Sequence, residues 1–227
     1  MKKPLKPARE FISPSDLTFG LSTCKRCLWI KYWYKLSAPL QMPLVGTLSE
    51  LQEEHFHGAD MPTIDASLRP GTVTKWGEFV KSKPLQVNGL DTRWRILGKY
   101  DLVSTNTDGT IGVIDCKVSD NERDSGAFYS PQLEAYAYAL ENPAAGKGRS
   151  VASIGLLIWK PGTTIGSDAH SSGFGVYQKY VAVERDLPNF LAVIGDFISV
   201  LEGELPEAGA ECTTCAYLLA RNALDNL

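Results

Sequence analysis

Several features are missing from the sequence, and each absence excludes a class of protein. No run of 18 or more apolar residues occurs, so no membrane span is predicted. The basic N-terminus is not followed by an apolar stretch, which argues against a secretory signal, and we expect a cytoplasmic protein. No repeat or low-complexity block interrupts the 227 residues. With 44% hydrophobic and 22% charged residues, the composition excludes a disordered chain, collagen and a coiled coil.

A net positive charge is also missing, because the chain carries −3 at pH 7. Taken alone, this value argues against a nucleic-acid-binding protein. The charge is unevenly distributed, however: residues 1–40 carry +6 and the remaining 187 residues carry −9. A basic front on an acidic body favours a polyanionic partner, although a solubilising tail explains it equally well. Residues 1–12 are predicted to form a flexible basic arm.

Disulfides are not expected in a cytoplasmic protein, so its five cysteines require another explanation. Four of them form two C-x₂-C pairs, Cys24 with Cys27 and Cys212 with Cys215. This spacing lets both thiolates of a pair reach one metal ion or one cluster, and a shared site would join the two ends of the chain. Four cysteines suit both Zn²⁺ and a 4Fe–4S cluster. Cys116 is left out, because its position in a strand places it in the core.

The hydrophobic pattern alternates between helical and strand-like periods. Ser13 and Pro14 begin a helix that extends to about residue 35. Further helices are predicted at 46–57, from 130–131 onwards, at 186–202 and after Cys215, strands at 75–85, 93–104, 110–118, 151–160 and 174–183, and loops at 58–74 and 161–175. This order predicts a single α/β domain over 13–227, with cysteine-bearing terminal segments at 13–36 and 205–227.

The central hairpin carries the residues with the clearest chemistry. Asp101 and Asp115 are separated by an Asp108-Gly109 turn, so antiparallel pairing brings the two carboxylates side by side. Lys117 points to the same side as Asp115, because side chains alternate along a strand. Two close carboxylates are costly unless a divalent cation neutralises them. Together with a lysine, they indicate metal-dependent cleavage of a phosphodiester bond.

The helix that follows the hairpin adds Gln132 and Tyr136, which share one helix face at i and i+4. Directed at the metal site, they could contact a DNA phosphate or base. Each element alone is typical of an ordinary protein surface. Their combination in this order is much rarer.

These motifs, Gly98-x-x-Asp101, Ile114-Asp115-Cys116-Lys117 and Gln132-x-x-x-Tyr136, resemble those of the PD-(D/E)XK nuclease superfamily. The RecB-type branch, which includes the exonucleases that accompany CRISPR adaptation genes, is the most similar. The resemblance extends over residues 13–217. It implies a restriction-endonuclease-like core, a mixed β-sheet flanked by helices, with N- and C-terminal helical additions joined by a four-cysteine site.

The resemblance also implies roles for individual residues. Asp101 and Asp115 would bind Mg²⁺ or Mn²⁺ with the backbone carbonyl of Cys116, and Lys117 would be the catalytic lysine. Gln132 and Tyr136 would contact the substrate.

Relatives often add a metal ligand from an early helix, in a Gly-Thr-x-x-His pattern. In this chain Gly46 and Thr47 are followed by Glu50 where that histidine would stand, and a carboxylate binds Mg²⁺ equally well. The alternatives are Glu54, His55 and His57. The two histidines are more typical of a solvated helix end.

RecB-type nucleases with terminal cysteines carry an iron–sulfur cluster, so the resemblance favours a 4Fe–4S cluster on the four outer cysteines. Their usual pattern is one early and three late cysteines. The two-plus-two pattern of this chain keeps Zn²⁺ as the alternative. Lys25 and Arg26, which lie between Cys24 and Cys27, would then contact DNA phosphates near the site.

We therefore expect an Mg²⁺- or Mn²⁺-dependent deoxyribonuclease, an exonuclease that acts on single-stranded DNA or DNA ends. Protein partners in CRISPR adaptation, recombination or phage replication are compatible with it. The alternative is a catalytically silent nuclease fold that binds DNA or supports an assembly, with the four cysteines as a structural metal site. A redox protein is disfavoured, because no thioredoxin-like βαβ pattern precedes either C-x₂-C pair.

Overall fold

The computed structural model describes residues 3–37, 44–119, 126–168 and 171–224. Its strands in chain order are β1 (Phe11–Ile12), β2 (Gly71–Trp76), β3 (Phe79–Lys81), β4 (Gln86–Val87), β5 (Leu90–Asp91), β6 (Arg95–Lys99), β7 (Leu102–Asn106), β8 (Ile111–Val118), β9 (Val151–Asp168) and β10 (Ser171–Val183). Its helices are α1 (Pro14–Thr23), α2 (Lys25–Tyr34), α3 (Val45–His55), α4 (Met61–Ile64), α5 (Gly126–Glu141), α6 (Leu187–Glu202) and α7 (Thr213–Leu224). None of these helices is both long and apolar enough to cross a lipid bilayer.

The central sheet has five strands in the order β10-β9-β8-β7-β2. Only β8 and β9 run parallel within it, so the sheet is mixed. The first six residues of β8 are buried, because both faces of this strand are covered. Ile111 and Val113 face the core under α5, whereas Ile114 and Cys116 join the second core with Phe56. This arrangement confirms the predicted mixed sheet flanked by helices.

A smaller sheet of three strands, in the order β1-β6-β3, lies beside the central one. Strands β6 and β7 are separated only by Tyr100 and Asp101, where the chain passes from the small sheet to the central sheet. Gly98 permits a close approach at this end of β6. A Cβ atom there would lie 2.6 Å from Pro14 Cγ and 2.9 Å from Tyr136 Cε1.

Helix α2 contacts the C-terminal end of α6 through two tryptophan side chains. Helix α6 buries Phe190, Ile194, Phe197 and Leu201 along one amphipathic stripe. Its last carbonyls accept hydrogen bonds from outside the helix: Trp33 Nε1 donates to Leu201 O at 2.7 Å, and Trp29 Nε1 donates to Gly203 O at 3.1 Å. These bonds satisfy carbonyl groups that a helix end leaves unpaired. These bonds hold the N-terminal helix α2 against the C-terminal end of α6.

Much of the basic N-terminal charge has a structural use. The Asp16 carboxylate is buried and meets Lys31 Nζ at 2.5 Å and Arg9 Nη1 at 3.7 Å. Lys3 Nζ donates to Glu202 O at 2.6 Å, at the end of α6. Within residues 3–12, strand β1 pairs in parallel with β6, and Ile12 is fully buried.

Several elements differ from the sequence prediction. The first helix is broken at Cys24, whose backbone is extended, and the predicted strand 75–85 is interrupted by a turn at Gly77, where φ is +59°. The predicted strand 93–104 divides at Tyr100. The predicted loops also contain regular structure: α4 lies within 58–74, and 161–168 continues β9. In the second case, pairing with β10 satisfies the backbone although the side chains of residues 161–166 are exposed.

Candidate active site

The two motif aspartates lie opposite each other where the small and central sheets meet. Leu102 pairs with Ile114, so the antiparallel register continues one step further to place Asp101 across from Asp115. Asp101 Oδ2 accepts a hydrogen bond of 2.7 Å from the backbone N–H of Cys116. The Asp115 side chain is almost fully buried, at 2% exposed. The Asp-Gly turn predicted from the sequence therefore brings the half-buried Asp101 next to the buried Asp115.

Lys117 lies in contact with Asp115. Its Nζ atom is 2.5 Å from Asp115 Oδ2, and it also lies 5.0 Å from the centre of the Tyr129 ring. Burial alone would lower the pKa of Lys117, but the Asp115 carboxylate outweighs burial and raises the pKa. The amine therefore keeps its proton at neutral pH. This places a positive charge next to the Asp115 carboxylate.

Helix α5 contributes two further predicted residues. Gln132 Nε2 donates a hydrogen bond of 2.8 Å to Asp115 Oδ1 and fixes the orientation of that carboxylate. The Tyr136 hydroxyl donates to Lys99 O at 2.8 Å, and the pKa of Tyr136 is raised by burial and by Asp115. Gln132 therefore contacts Asp115 directly, whereas Tyr136 contacts the backbone at the end of β6, two residues before Asp101.

Helix α3 presents a carboxylate that the sequence reasoning missed. Glu53 is 5% exposed, and its Oε2 atom lies 3.4 Å from Lys99 Nζ. Its negative charge contributes to raising the pKa of Asp101. Glu50 and Glu54 are exposed, as are the two histidines His55 and His57.

The helical period offers a signal that would have found Glu53. Phe56 is a core residue, and Gln52 and Glu53 precede it by four and three residues, so they share its buried face. Glu50 and Glu54 do not share this face, and both are exposed.

Asp101 is electrostatically strained in the absence of a cation. Burial and the nearby Asp115 carboxylate raise the pKa of Asp101 from 3.8 to about 8, although the Lys117 charge and the Cys116 N–H oppose the shift. The folded protein therefore holds this proton at pH values where the unfolded chain has lost it. As a result, the free energy of unfolding falls as the pH rises from about 4 to about 8.

We expect Asp101→Asn to stabilise the protein at pH 8 when no Mg²⁺ or Mn²⁺ is present. The asparagine amide is neutral without binding a proton, so it avoids the repulsion from Asp115. The melting temperature is therefore expected to rise by about 4–10 °C, since each kcal/mol of unfolding free energy corresponds to roughly 2–4 °C in a domain of this size. Thermal melts at pH 4 and pH 8 measure the effect, which disappears at pH 4. Asp196→Asn, a change at an exposed position, is the control. A lower melting temperature for Asp101→Asn at pH 8 would contradict this account.

The donor set of the site suits a hard divalent cation. Mg²⁺ and Mn²⁺ prefer carboxylate and carbonyl oxygens. Asp115 Oδ2 meets the Lys117 ammonium but accepts no directional hydrogen bond, and Gln132 Oε1 is also buried without a hydrogen-bond partner in the described ranges. A cation bound by Asp101 and Asp115 would neutralise the repulsion that raises the pKa of Asp101.

The four outer cysteines converge at a second site. Their sulfur atoms all lie within 4.8 Å of one another, and no other set of three or more His, Cys, Asp or Glu ligands in the described part of the chain is as close. The Sγ separations are 3.8 Å for Cys24–Cys215, 3.7 Å for Cys27–Cys212 and 3.6 Å for Cys27–Cys215. The group can hold a metal ion or a cluster, and it connects α2 with α7.

The thiols of this site differ in acidity. Burial would raise the pKa of Cys24, but backbone hydrogen bonds from Cys27 and Gly209 lower it to about 6. Burial and the contact with Cys215 raise the pKa of Cys27. Four thiols this close cannot all ionise without a cation, because their charges repel one another.

The two predicted basic contacts lie beside this cysteine site. Lys25 is exposed at the start of α2. Arg26 Nη1 donates a hydrogen bond of 3.0 Å to Pro206 O and so helps to hold the C-terminal segment against α2. Neither residue contacts the aspartates through any hydrogen bond or ion pair in the described residues.

Comparison with known proteins identifies one family whose model matches most of the chain. The family model of the PD-(D/E)XK nuclease superfamily matches residues 40–219. Among solved structures, one titled "Crystal structure of SSO0001" is similar, with a TM-score of 0.48 and 15% sequence identity, over 87% of this chain and 78% of that chain. A search of curated proteins found no match.

Proposed function

Because the chain belongs to the PD-(D/E)XK nuclease superfamily, we propose that it is a metal-dependent exonuclease that hydrolyses single-stranded DNA or DNA ends. The observation that carries this proposal is the group formed by the buried Asp115 with the half-buried Asp101 and Lys117, in which a protonated amine contacts one of two facing carboxylates. A silent descendant of the fold has no need for this costly arrangement. The intact group therefore favours catalysis over the alternative of a binding module.

Each residue of the site has a role in the proposed reaction. Asp101 and Asp115 would hold Mg²⁺ or Mn²⁺ together with the carbonyl of Cys116, and the ion would supply a water of lowered pKa and a positive charge for the scissile phosphate. Lys117, which keeps its proton on Nζ, stabilises the negative charge that develops on the phosphate. Gln132 orients Asp115 through its 2.8 Å hydrogen bond. Tyr136 binds Lys99 O and supports the end of β6 next to Asp101.

We place Glu53, in preference to Glu50, at the position of the third ligand. Glu53 is buried on the face of α3 that meets the sheet, and it acts electrostatically on Asp101. Lys99 Nζ lies 3.4 Å from Glu53 Oε2 and holds this carboxylate near the end of β6. Glu50 lies on the exposed side of the same helix.

A matched pair of variants tests this assignment. Glu53→Gln is expected to raise the Mg²⁺ concentration needed for half-maximal cleavage by roughly tenfold or more, because a carboxylate that binds a metal ion, or orients one of its ligands, typically contributes that much to metal affinity. Glu50→Gln makes the same chemical change one turn away, and its metal dependence should match that of the wild type. Initial cleavage rates over a series of Mg²⁺ concentrations measure both. Equal effects of the two substitutions would remove Glu53 from the ligand set.

For the cysteine site we infer one tetrahedral Zn²⁺. Zinc binds thiolate at about 2.3 Å, and tetrahedral ligands at that distance have sulfur atoms about 3.8 Å apart. Three of the six separations, at 3.6–3.8 Å, agree with this value, and all six are at most 4.8 Å. In a 4Fe–4S cluster each cysteine binds a different iron of a cube, which places the sulfurs about 6 Å apart. The geometry therefore favours the zinc alternative over the cluster implied by the resemblance.

The exonuclease proposal is tested with substrates that differ only in their ends. Purified protein with Mg²⁺ or Mn²⁺ is incubated with a linear single-stranded DNA and with the same sequence closed into a circle. We expect the linear form to be degraded and the circle to persist. Cleavage of the circle at a similar rate would make the protein an endonuclease. Binding of both forms without cleavage of either, with both metals, would favour the silent module.

A further inference from the structure

The small sheet has an outer face on which Lys99 is the one side chain, among those described, that takes part in the roles above. In β3, Phe79 and Lys81 point outward while Val80 is buried; in β6, Arg95, Leu97 and Lys99 alternate with buried Ile96 and Gly98. Phe79 pairs with Lys99 across the strands, and Lys81 pairs with Leu97, so these side chains share one face. We call the outward-facing side chains Phe11, Phe79, Lys81, Arg95, Leu97 and Lys99 the outer strip.

A cavity of about 350 Å³ lies at one end of the outer strip. Among the described residues that line it are four cationic side chains and one carboxylate, namely Lys6, Lys81, Arg93, Arg95 and Glu10. Arg93 Nε lies 3.3 Å from Glu202, which partly offsets its charge. Lys81 Nζ lies 4.5 Å above the Phe11 ring, where no carboxylate neutralises it in the described structure. The cavity is therefore positively charged although the whole chain carries −3.

Phe79 adds a feature that charge alone does not explain. It is 72% exposed, and it stands beside Lys99 in the strand pairing. An exposed aromatic ring costs free energy in water, and flanked by cations it forms a surface on which an unpaired base can stack.

The outer strip leads to the candidate active site. Lys99 lies at the end of β6, two residues before Asp101, and its Nζ atom contacts Glu53. The four residue-to-residue steps from Arg95 to Lys99 span about 13 Å at the rise of an extended strand. A chain of phosphates that occupies the cavity can therefore continue along β6 to the two aspartates.

From this placement, we propose that the outer strip and its cavity bind the single-stranded part of the nucleic-acid substrate. Lys6, Lys81 and Arg95 contact phosphates, and the Phe79 ring stacks on a base. The inference rests on the proposed nuclease function and specifies how its substrate is held. An unpaired strand fits better than a duplex, because bases of a duplex are stacked on one another and leave no free face for Phe79.

The test measures binding by fluorescence anisotropy, with a labelled 20-nucleotide single strand and the corresponding duplex. All proteins carry Asp115→Asn, so that binding is separated from cleavage. Lys81→Gln with Arg95→Gln is expected to weaken single-strand binding roughly tenfold and to lower the slope of log K against log salt by about 1.4, at about 0.7 per lost phosphate contact. Phe79→Ala is expected to weaken single-strand binding about fivefold or more and to leave duplex binding unchanged.

The control, Lys147→Gln with Lys179→Gln, removes two exposed charges elsewhere on the surface. It should bind like the parent, and circular dichroism melts establish that all variants are folded. If the Lys81 and Arg95 variant binds like this control, the outer strip is not the binding surface. If Phe79→Ala weakens duplex and single-strand binding equally, the proposal that a base stacks on the Phe79 ring is wrong.

A separate assay distinguishes this proposal from the nuclease proposal. Hydrolysis of bis(4-nitrophenyl) phosphate by the wild type reports the chemistry of the aspartates without a long substrate. If the wild type hydrolyses this substrate and the strip variants bind DNA as well as the control does, only the outer-strip proposal is overturned. Absence of any hydrolysis with Mg²⁺ or Mn²⁺ would overturn the nuclease function whatever the binding results.

Discussion

Replacing Lys117 with methionine is expected to lower DNA hydrolysis by roughly 100-fold or more, which is typical of removing one charge-stabilising group from an active site. Lys117 Nζ lies 2.5 Å from Asp115 Oδ2, and the adjacent carboxylate raises its pKa, so the amine supplies a positive charge at neutral pH. Methionine keeps the length and packing of the stem and removes only this charge. Asp101 and Asp115 remain, so the variant should still respond to divalent cations.

Initial cleavage rates at saturating Mn²⁺ measure this effect, with thermal melts to show that the variant is folded. Lys179→Met changes an exposed lysine on β10 in the same way and is expected to cleave at the wild-type rate. A Lys117→Met protein within about threefold of the wild type would mean that Lys117 has no part in the chemistry.

Replacing Cys27 with serine is expected to lower the free energy of unfolding more than any of the other substitutions does. Cys27 Sγ lies within 3.7 Å of both Cys212 and Cys215, so its loss opens the connection between α2 and α7. A link that closes a loop of this length contributes about 3–5 kcal/mol by restricting the unfolded chain. At about 2–4 °C per kcal/mol, the melting temperature should fall by roughly 10 °C.

Elemental analysis and absorption spectra identify the metal in the same experiment. The wild type should be colourless and contain one zinc per chain, and Cys27→Ser should contain little. Cys116→Ala is the thiol control, because Cys116 lies in the core with Phe56 and not at the cysteine site. Its zinc content should equal that of the wild type. A brown protein with about four irons per chain would replace the zinc assignment with a 4Fe–4S cluster.

The parts of the site that depend on local sequence were predictable. The Asp108-Gly109 turn determines the hairpin register, and Gly109 has the positive φ of +82° that such a turn requires. From that register, Asp101 comes opposite Asp115, and strand alternation places Lys117 beside Asp115. These contacts involve residues no more than 16 apart in sequence, so short-range rules suffice.

The parts that depend on distant pairings were not predictable in the same way. The small sheet forms because residues 11–12 pair with 95–96, and no local pattern signals a parallel pairing across more than 80 residues. Glu53 was missed because Phe56, which marks the buried face of α3, lies just beyond the end of the helix, whereas Leu51 within the helix is 52% exposed.

The distribution of charge also looked different from the sequence than it does in three dimensions. The first 40 residues carry +6, but Arg9 and Lys31 are used by the buried Asp16, and Arg26 by Pro206 O. The cavity that gathers positive charge combines Lys6 with Lys81 and Arg95, which lie far apart in the sequence. Counting charges by segment cannot reveal such a surface.

The central claim is that Asp101 and Asp115 support metal-dependent hydrolysis of phosphodiester bonds. The most direct measurement is the rate at which the purified protein degrades an end-labelled single-stranded DNA as Mn²⁺ or Mg²⁺ is added, in parallel with Asp115→Asn. We predict degradation by the wild type that rises with the metal concentration, and none by Asp115→Asn. An intact substrate at every metal concentration, or equal degradation by the two proteins, would contradict the claim.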